Sequence, residues 1–144
     1  MATVKWSPLS LPLTILGNEL TGLATGGLSV TGTTVQADGN LYCDFEFVAG
    51  SAISPTAFAA MDIWMLRSID GGASYVDGSA SVTPSQDPSA TISVRQGTLI
   101  VPRAGTPMVV LPPGLYKPMA RNRLGVNIPS GSIIRMATYS EMAA

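Results

Sequence analysis

The chain has 144 residues, 46% hydrophobic and only 12% charged, with 15 Gly, 11 Pro, one Cys and no His. Its formal net charge of −1 and mean hydropathy of +0.32 exclude the charged, weakly hydrophobic composition of disordered chains and the Glu/Lys-rich composition of coiled coils. Without His there is no imidazole base for a Ser or Cys nucleophile and no common Zn or Cu site, which weakens most enzyme readings of what is, by length, one domain of roughly 100–150 residues.

Residues 1–27 read as an extended N-terminal arm ahead of a domain over 28–144. Leu13, Leu16, Leu20 and Leu23 recur every three or four residues and predict a short helical turn around Leu16–Leu23. Gly17, Gly22, Gly26 and Gly27 oppose it by about 1 kcal/mol each in a helix interior. The apolar run Leu9–Leu16 is broken by Pro12 and lacks the length and cleavage region of a signal peptide. The uncharged stretch Leu20–Ala37 is too rich in Gly and Thr to span a bilayer well. The expectation is a protein made in the cytoplasm, with no membrane partner.

From residue 28 the pattern turns to β. Leu28–Val35 alternates apolar and hydroxyl residues up to a turn at Asp38-Gly39-Asn40. Leu41, Cys43, Phe45 and Phe47 then alternate with Tyr42, Asp44 and Glu46, the period-two signature of a strand with one buried and one wet face. Ala57–Ile69 reads as a strand covered on both faces that runs into a hairpin turn at Asp70-Gly71-Gly72. Residues 78–90 offer almost nothing to bury and predict a long exposed contact loop. Further strands are predicted over Thr91–Gln96, Thr98–Val101, Met108–Leu111, Leu115–Arg121 and Ser132–Tyr139, separated by Pro and Gly turns. Seven or eight short strands of this kind predict an all-β, antiparallel β-sandwich or jelly roll.

Chemistry-bearing motifs are sparse. There is no phosphate-binding loop, no Cys-x-x-Cys and no Gly-x-Ser-x-Gly. Cys43 is the sole cysteine, flanked by Tyr42 and Asp44, so an inert buried thiol is expected and no intrachain disulfide is available. Asp44 and Glu46 share a strand face about 7 Å apart, a spacing that suits paired-carboxylate chemistry, but that face is the wet one and solvated charge is the expectation. Asp38 with Asn40, and Asp70 with Asp77, fall short of the six to eight oxygens that calcium requires. No cofactor, metal or catalytic residue is expected.

The charges are unevenly placed. Residues 1–94 hold two cations against eight acids, a balance of −6, and residues 95–144 hold six cations against Glu141, a balance of +5. Either strands from the two halves interleave and cancel, or acidic and basic faces meet between subunits. Lys117, Arg121 and Arg123 lie at alternating positions of one strand, as a solvated row or a docking row for an acidic partner. A near-neutral total and the lack of interleaved aromatics argue against nucleic acid. Trp64 reads as core, whereas Trp6 and Tyr75 lie beside predicted loops and, with Tyr116, are the candidates for a sugar-stacking platform.

The segment Leu111–Glu141, with its Pro112-Pro113-Gly114 turn, Asn122-x-x-Gly125-Val126 bend and closing Tyr139-Ser140-Glu141, resembles the C-terminal end of small tailed-bacteriophage virion proteins. Leu66–Tyr75, with Ser68-x-Asp70-Gly71, is similar to a strand and turn of the same group. Together they span about a third of the chain and carry no catalytic signature. The resemblance implies a β-rich structural protein of the virion, such as a capsid decoration or cement protein. Its expected partners are the major capsid protein, other virion subunits and further copies of itself, with a trimer favoured. Trp6, Tyr75, Lys117, Arg121 and Arg123 are the candidate contact residues. A tail, neck or baseplate component and a carbohydrate-binding β-sandwich are the alternatives.

Overall fold

The computed structural model describes residues 5–37, 39, 42–98 and 103–142. The expected turn residues Asp38 and Asn40, strand residue Leu41 and most of the strand Thr98–Val101 lie outside them. Among these residues ten strands follow in chain order: β1 (Lys5–Trp6), β2 (Leu13–Leu16), β3 (Val35–Ala37), β4 (Tyr42–Val48), β5 (Ala60–Ser68), β6 (Ala90–Ser93), β7 (Arg103–Val110), β8 (Gly114–Arg123), β9 (Ile133–Tyr139) and β10 (Glu141–Met142). They form an antiparallel β-sandwich. A front sheet has the order β2-β9-β4-β7, a back sheet has the order β3-β8-β5-β6, and β1 with β10 makes a two-stranded ribbon. Among the described residues no helix is long and apolar enough to cross a membrane.

The period of two in β4 does what elementary strand geometry requires. Cys43, Phe45 and Phe47 turn inward and are buried, while Tyr42, Asp44 and Glu46 face outward. Inward residues of the back sheet, Met61, Ile63 and Met65 from β5 and Ala120 from β8, meet Phe45, Ile134 and Met136 from the front sheet in one core. The other face of β5 is also buried: Trp64 and Leu66 pack with Met119 of β8 in a second, smaller cluster. β5 is therefore the doubly covered strand its continuous apolar run predicts. Asp70-Gly71-Gly72, however, does not close a hairpin. β5 pairs with β6 and β8, and the chain after the turn crosses the outside of the back sheet before it returns as β6.

The predicted arm is built into the sandwich. β2 pairs with β9, and Ile15, Leu16 and Leu20 are buried in the main core. The helical spacing of the leucines yields one 3-10 turn, Asn18–Leu20. N-terminal to β2, Ser10 N–H donates to the Thr138 carbonyl at 2.9 Å and Ser7 N–H to the Ser140 carbonyl at 2.8 Å, which leads the chain along β9 into the ribbon.

The expected strand Leu28–Val35 is regular only from Val35. The preceding residues still follow β8: Ser29 N–H donates to the Ala120 carbonyl at 2.8 Å, and Gly32 N–H to the Pro118 carbonyl at 2.9 Å. The ladder breaks where the chain also meets the front sheet, with Thr33 N–H donating to the Ile15 carbonyl at 3.0 Å. A Cβ on Gly32 would lie 2.1 Å from that carbonyl oxygen, so the joint between the two sheets needs a residue without a side chain. Gly32→Ala is expected to lower stability by about 1–3 kcal/mol through forced displacement of backbone. The shift of the denaturant midpoint at unchanged slope measures it, and a change under about 0.5 kcal/mol would contradict this joint.

Candidate functional site

The basic row predicted on β8 faces outward from the back sheet, and each member already has a partner within the chain. Arg123 donates to both carboxylate oxygens of Asp62, Nε to Oδ2 at 2.7 Å and an Nη2 to Oδ1 at 2.8 Å; Thr91 Oγ1 donates to Oδ1 at 2.9 Å. Arg121 lies over the Trp64 ring at 5.2 Å and donates to Thr83 Oγ1 at 3.0 Å. Lys117 Nζ stands 4.6 Å from the centroid of the Tyr75 ring. The Trp64 indole N–H donates to the Gln86 carbonyl at 2.9 Å, and Met65 N–H to Ser89 Oγ at 2.9 Å. The segment 78–90, poor in apolar residues, thus works as a roof. It holds the back sheet by hydrogen bonds, and Pro84 is its buried residue ahead of β6. A cleft of about 480 Å³ remains between the roof and Asp62, Arg121 and Arg123.

The charge asymmetry between halves is partly internal. The two ion pairs among the described residues, Asp62–Arg123 and Glu46–Arg135, each join an acid of the first 94 residues to a cation of the last 50. The cause is topological: β4 pairs with β9 and β5 with β8, so in both sheets strands of the acidic half lie beside strands of the basic half.

The front sheet is different. Among the described residues its outward face has no crossing segment comparable to the roof, and it holds a hollow of about 340 Å³. Ala137 and Gly105 are small and form the low part, Leu9 and Pro12 of the N-terminal segment stand on one side, and Thr106 with Pro107 stands on the other. Asp44, Glu46 and Arg135 supply the polar lining. Glu46 Oε1 accepts from Arg135 Nε at 2.7 Å and lies 2.6 Å from Nη2. Asp44 faces an irregularity in β7, where Pro107 and Met108 oppose one residue of β4. Met108 has a left-handed φ of 56°, and its N–H donates to Asp44 Oδ1 at 2.9 Å. The two carboxylates are therefore accessible, as expected, but each is engaged.

Beside the hollow three aromatic rings meet. Trp6 contacts Tyr42 at 5.5 Å and Tyr139 at 5.6 Å, both edge-to-face, and Tyr42 stacks on Tyr139 at 5.7 Å. Trp6 stays 47% exposed. The negative charge of Glu141 raises the Tyr42 pKa above the ordinary phenol value. The Tyr139 pKa is raised first by burial and then by its hydrogen bond to Asp44. The predicted stacking residues do not assemble: Tyr75 lies on the back sheet under Lys117, and buried Tyr116 donates its hydroxyl to the Pro112 carbonyl at 2.5 Å. The rings that join Trp6 are Tyr42 and Tyr139. The available signal was their outward parity on two alternating strands, but their pairing spans 97 residues and needs the register.

Among the described residues no three Asp, Glu or Cys side chains are gathered as metal ligands would be. Asp70 folds its own turn, with Oδ1 accepting from Ser68 Oγ at 2.7 Å and from Ser74 N–H at 2.9 Å. Asp77 accepts from Ser85. Comparison of the chain with protein-family models, with curated proteins and with solved structures returns no match.

Two expected outcomes follow from these environments. Burial, with a smaller contribution from the Asp44 charge, pushes the Cys43 thiol up to about 12, so the folded protein should resist alkylation at pH 8 and react only on unfolding. Stoichiometric labelling of the native protein would contradict it. The Ser74 hydroxyl and N–H, then Ser68, lower the Asp70 carboxyl from 3.8 to about 2. Its ionised form thus supports the turn fully above pH 3.8 and loses that support as pH falls through about 2. The Ser74 amide shift should titrate near 2, and a midpoint at 3.8 would contradict the turn.

Proposed function

We propose that this chain is a non-enzymatic structural protein of a tailed-bacteriophage particle that decorates the capsid lattice as a homo-oligomer, a trimer being favoured, and stabilises it by bridging neighbouring subunits. The observation that carries the reading is the apolar surface of the N-terminal segment: Leu9, Leu11 and Leu13 are all exposed, Leu11 to 91%. Met108 and Val110 on β7 and Met142 in the ribbon are exposed as well. Soluble monomers seldom leave large apolar patches uncovered, and such patches mark contact surfaces. Phe58, 98% exposed and held at a left-handed φ of 59° just ahead of β5, adds a protruding ring at a strained backbone position.

The assembly favoured is face-to-face or side-chain mediated rather than strand addition, because the sheet edges are blunted. β3 and β6 have three and four residues, β2 is interrupted by a register shift, and β7 carries Pro107 at its irregularity. Engagement of both Asp44 and Glu46 on an open sheet face supports the non-enzymatic reading, since a catalytic pair needs one desolvated acid. The β-sandwich and the resemblance over Leu111–Glu141 support the virion assignment.

The mass of the protein in solution should correspond to a homo-oligomer, and Leu11→Asp with Leu13→Asp should shift it toward the monomer without lowering the thermal midpoint of the subunit. Particles lacking the protein should lose resistance to heat and low salt. A monomer at every concentration, or particles of unchanged resistance, would overturn the reading. Imaging that finds the protein on the tail, neck or baseplate would replace the lattice assignment.

A further inference from the structure

The outward row of the front sheet has a chemistry that assembly does not require. Down β4 and β9 the facing pairs are Tyr42 with Tyr139, Asp44 with Ala137, and Glu46 with Arg135. Successive pairs stand about 7 Å apart along the strands. The first pair, capped by Trp6, offers exposed aromatic surface. The second leaves a hollow because Ala137 is small where its neighbours Tyr139 and Arg135 are large. The third places a guanidinium and a carboxylate side by side, 2.7 Å apart. The register sets the Tyr42–Tyr139 pair next to the Asp44–Ala137 pair on the same outward face, so the aromatic cluster borders the hollow.

We propose that this row is a binding site for a neutral saccharide. A pyranose ring has an apolar C–H face and a rim of hydroxyls that both donate and accept. The aromatic cluster suits the face, and Asp44, Glu46 and Arg135 suit the rim. Both contacts from Arg135 fall on Glu46 Oε1, which leaves Oε2 free to accept, and a carboxylate such as Asp44 has about four acceptor positions. Charge-assisted hydrogen bonds from ligand hydroxyls to these groups are short and strong, and their fixed directions give selectivity. Two carboxylates against one guanidinium leave the hollow with a net charge of −1, which disfavours phosphates and nucleic acids. A purely apolar ligand would bury these charged groups without replacing their water. The volume of about 340 Å³ is at the low end of small-ligand sites, roughly 300–1,000 Å³, and suits a short segment of a glycan chain. The site is independent of the virion assignment: loss of glycan binding would leave the assembly reading intact, and the reverse holds.

The test is a titration of the full-length, nitrogen-15-labelled protein with neutral gluco-, galacto- and N-acetylgluco-oligosaccharides, read at the two indole N–H signals. A saturable shift at Trp6 is expected with at least one series and none at Trp64, whose indole is bound to the Gln86 carbonyl. Ala137→Leu fills the hollow and should weaken binding about tenfold or more, equivalent to the loss of one or two hydrogen bonds. Asp44→Asn keeps the size of the side chain and an acceptor for Met108 N–H, so it guards against misfolding of the first variant; it too should weaken binding several-fold, with Trp6 still in contact with Tyr42. No Trp6 shift with any series would overturn the proposal. So would parent-like affinity in both variants, or preferential binding of a short oligodeoxynucleotide or polyphosphate.

Discussion

The burial of β5 on both faces is the constraint from which the rest of the arrangement follows. A continuous apolar strand has no wet side, so the back sheet must be covered outside as well as inside. The inner cover is the front sheet. The outer cover is the crossing segment after Ser68, which brings almost no apolar mass and attaches instead through the Gln86 carbonyl on Trp64 and Ser89 on Met65. Lys117, Arg121 and Arg123 lie beneath or beside that roof, on Tyr75, Trp64 and Asp62. With the back sheet roofed, the outward face of the front sheet is left for encounters with other molecules.

The low charge content makes sense in this light. Six of the charged residues are drawn into ion pairs or ring contacts, Asp62 with Arg123, Glu46 with Arg135, and Lys117 and Arg121 on aromatic rings, and hydroxyl residues and glycine fill many of the exposed turns. The part-exposed Glu46–Arg135 pair contributes little to stability in water, a net of about 1 kcal/mol or less, whereas Arg123 supplies the partner that the buried Asp62 carboxylate needs. Both pairs also have a positional effect. Glu46–Arg135 fixes the far end of the hollow, and Asp62–Arg123 ties β5 to β8 where the roof returns as β6.

Much of the sandwich was legible in the sequence because burial and period agree. β4 alternates cleanly, β5 carries the continuous apolar run Ile63–Leu66, and β8 and β9 are bounded by Pro and Gly turns. The N-terminal segment was harder. Pro8 and Pro12 interrupt any strand pattern, and the leucine spacing imitates a helix; what orders the segment is pairing with β9 and β10, more than a hundred residues away. The turn at Asp70-Gly71-Gly72 has hairpin chemistry, but the demand for an outer cover outweighs the local signal and carries the chain across the sheet. The candidate site was half legible. Trp6, Asp44 and Glu46 stood out as exposed aromatic and paired carboxylates, whereas Tyr42, Tyr139 and the small Ala137 acquire meaning only when β4 and β9 are placed in register.

The central claim is that the front sheet and its N-terminal strand are the working surface, while the back sheet is closed by its own chain. Oxidative footprinting of the dilute protein against its native assembly tests this most directly. The account predicts that Met108, Met142, Leu11 and Leu13 lose reactivity on assembly while Tyr75, Val76 and Val82 keep theirs. Protection of the roof residues with Met108 and Leu11 still reactive would contradict it.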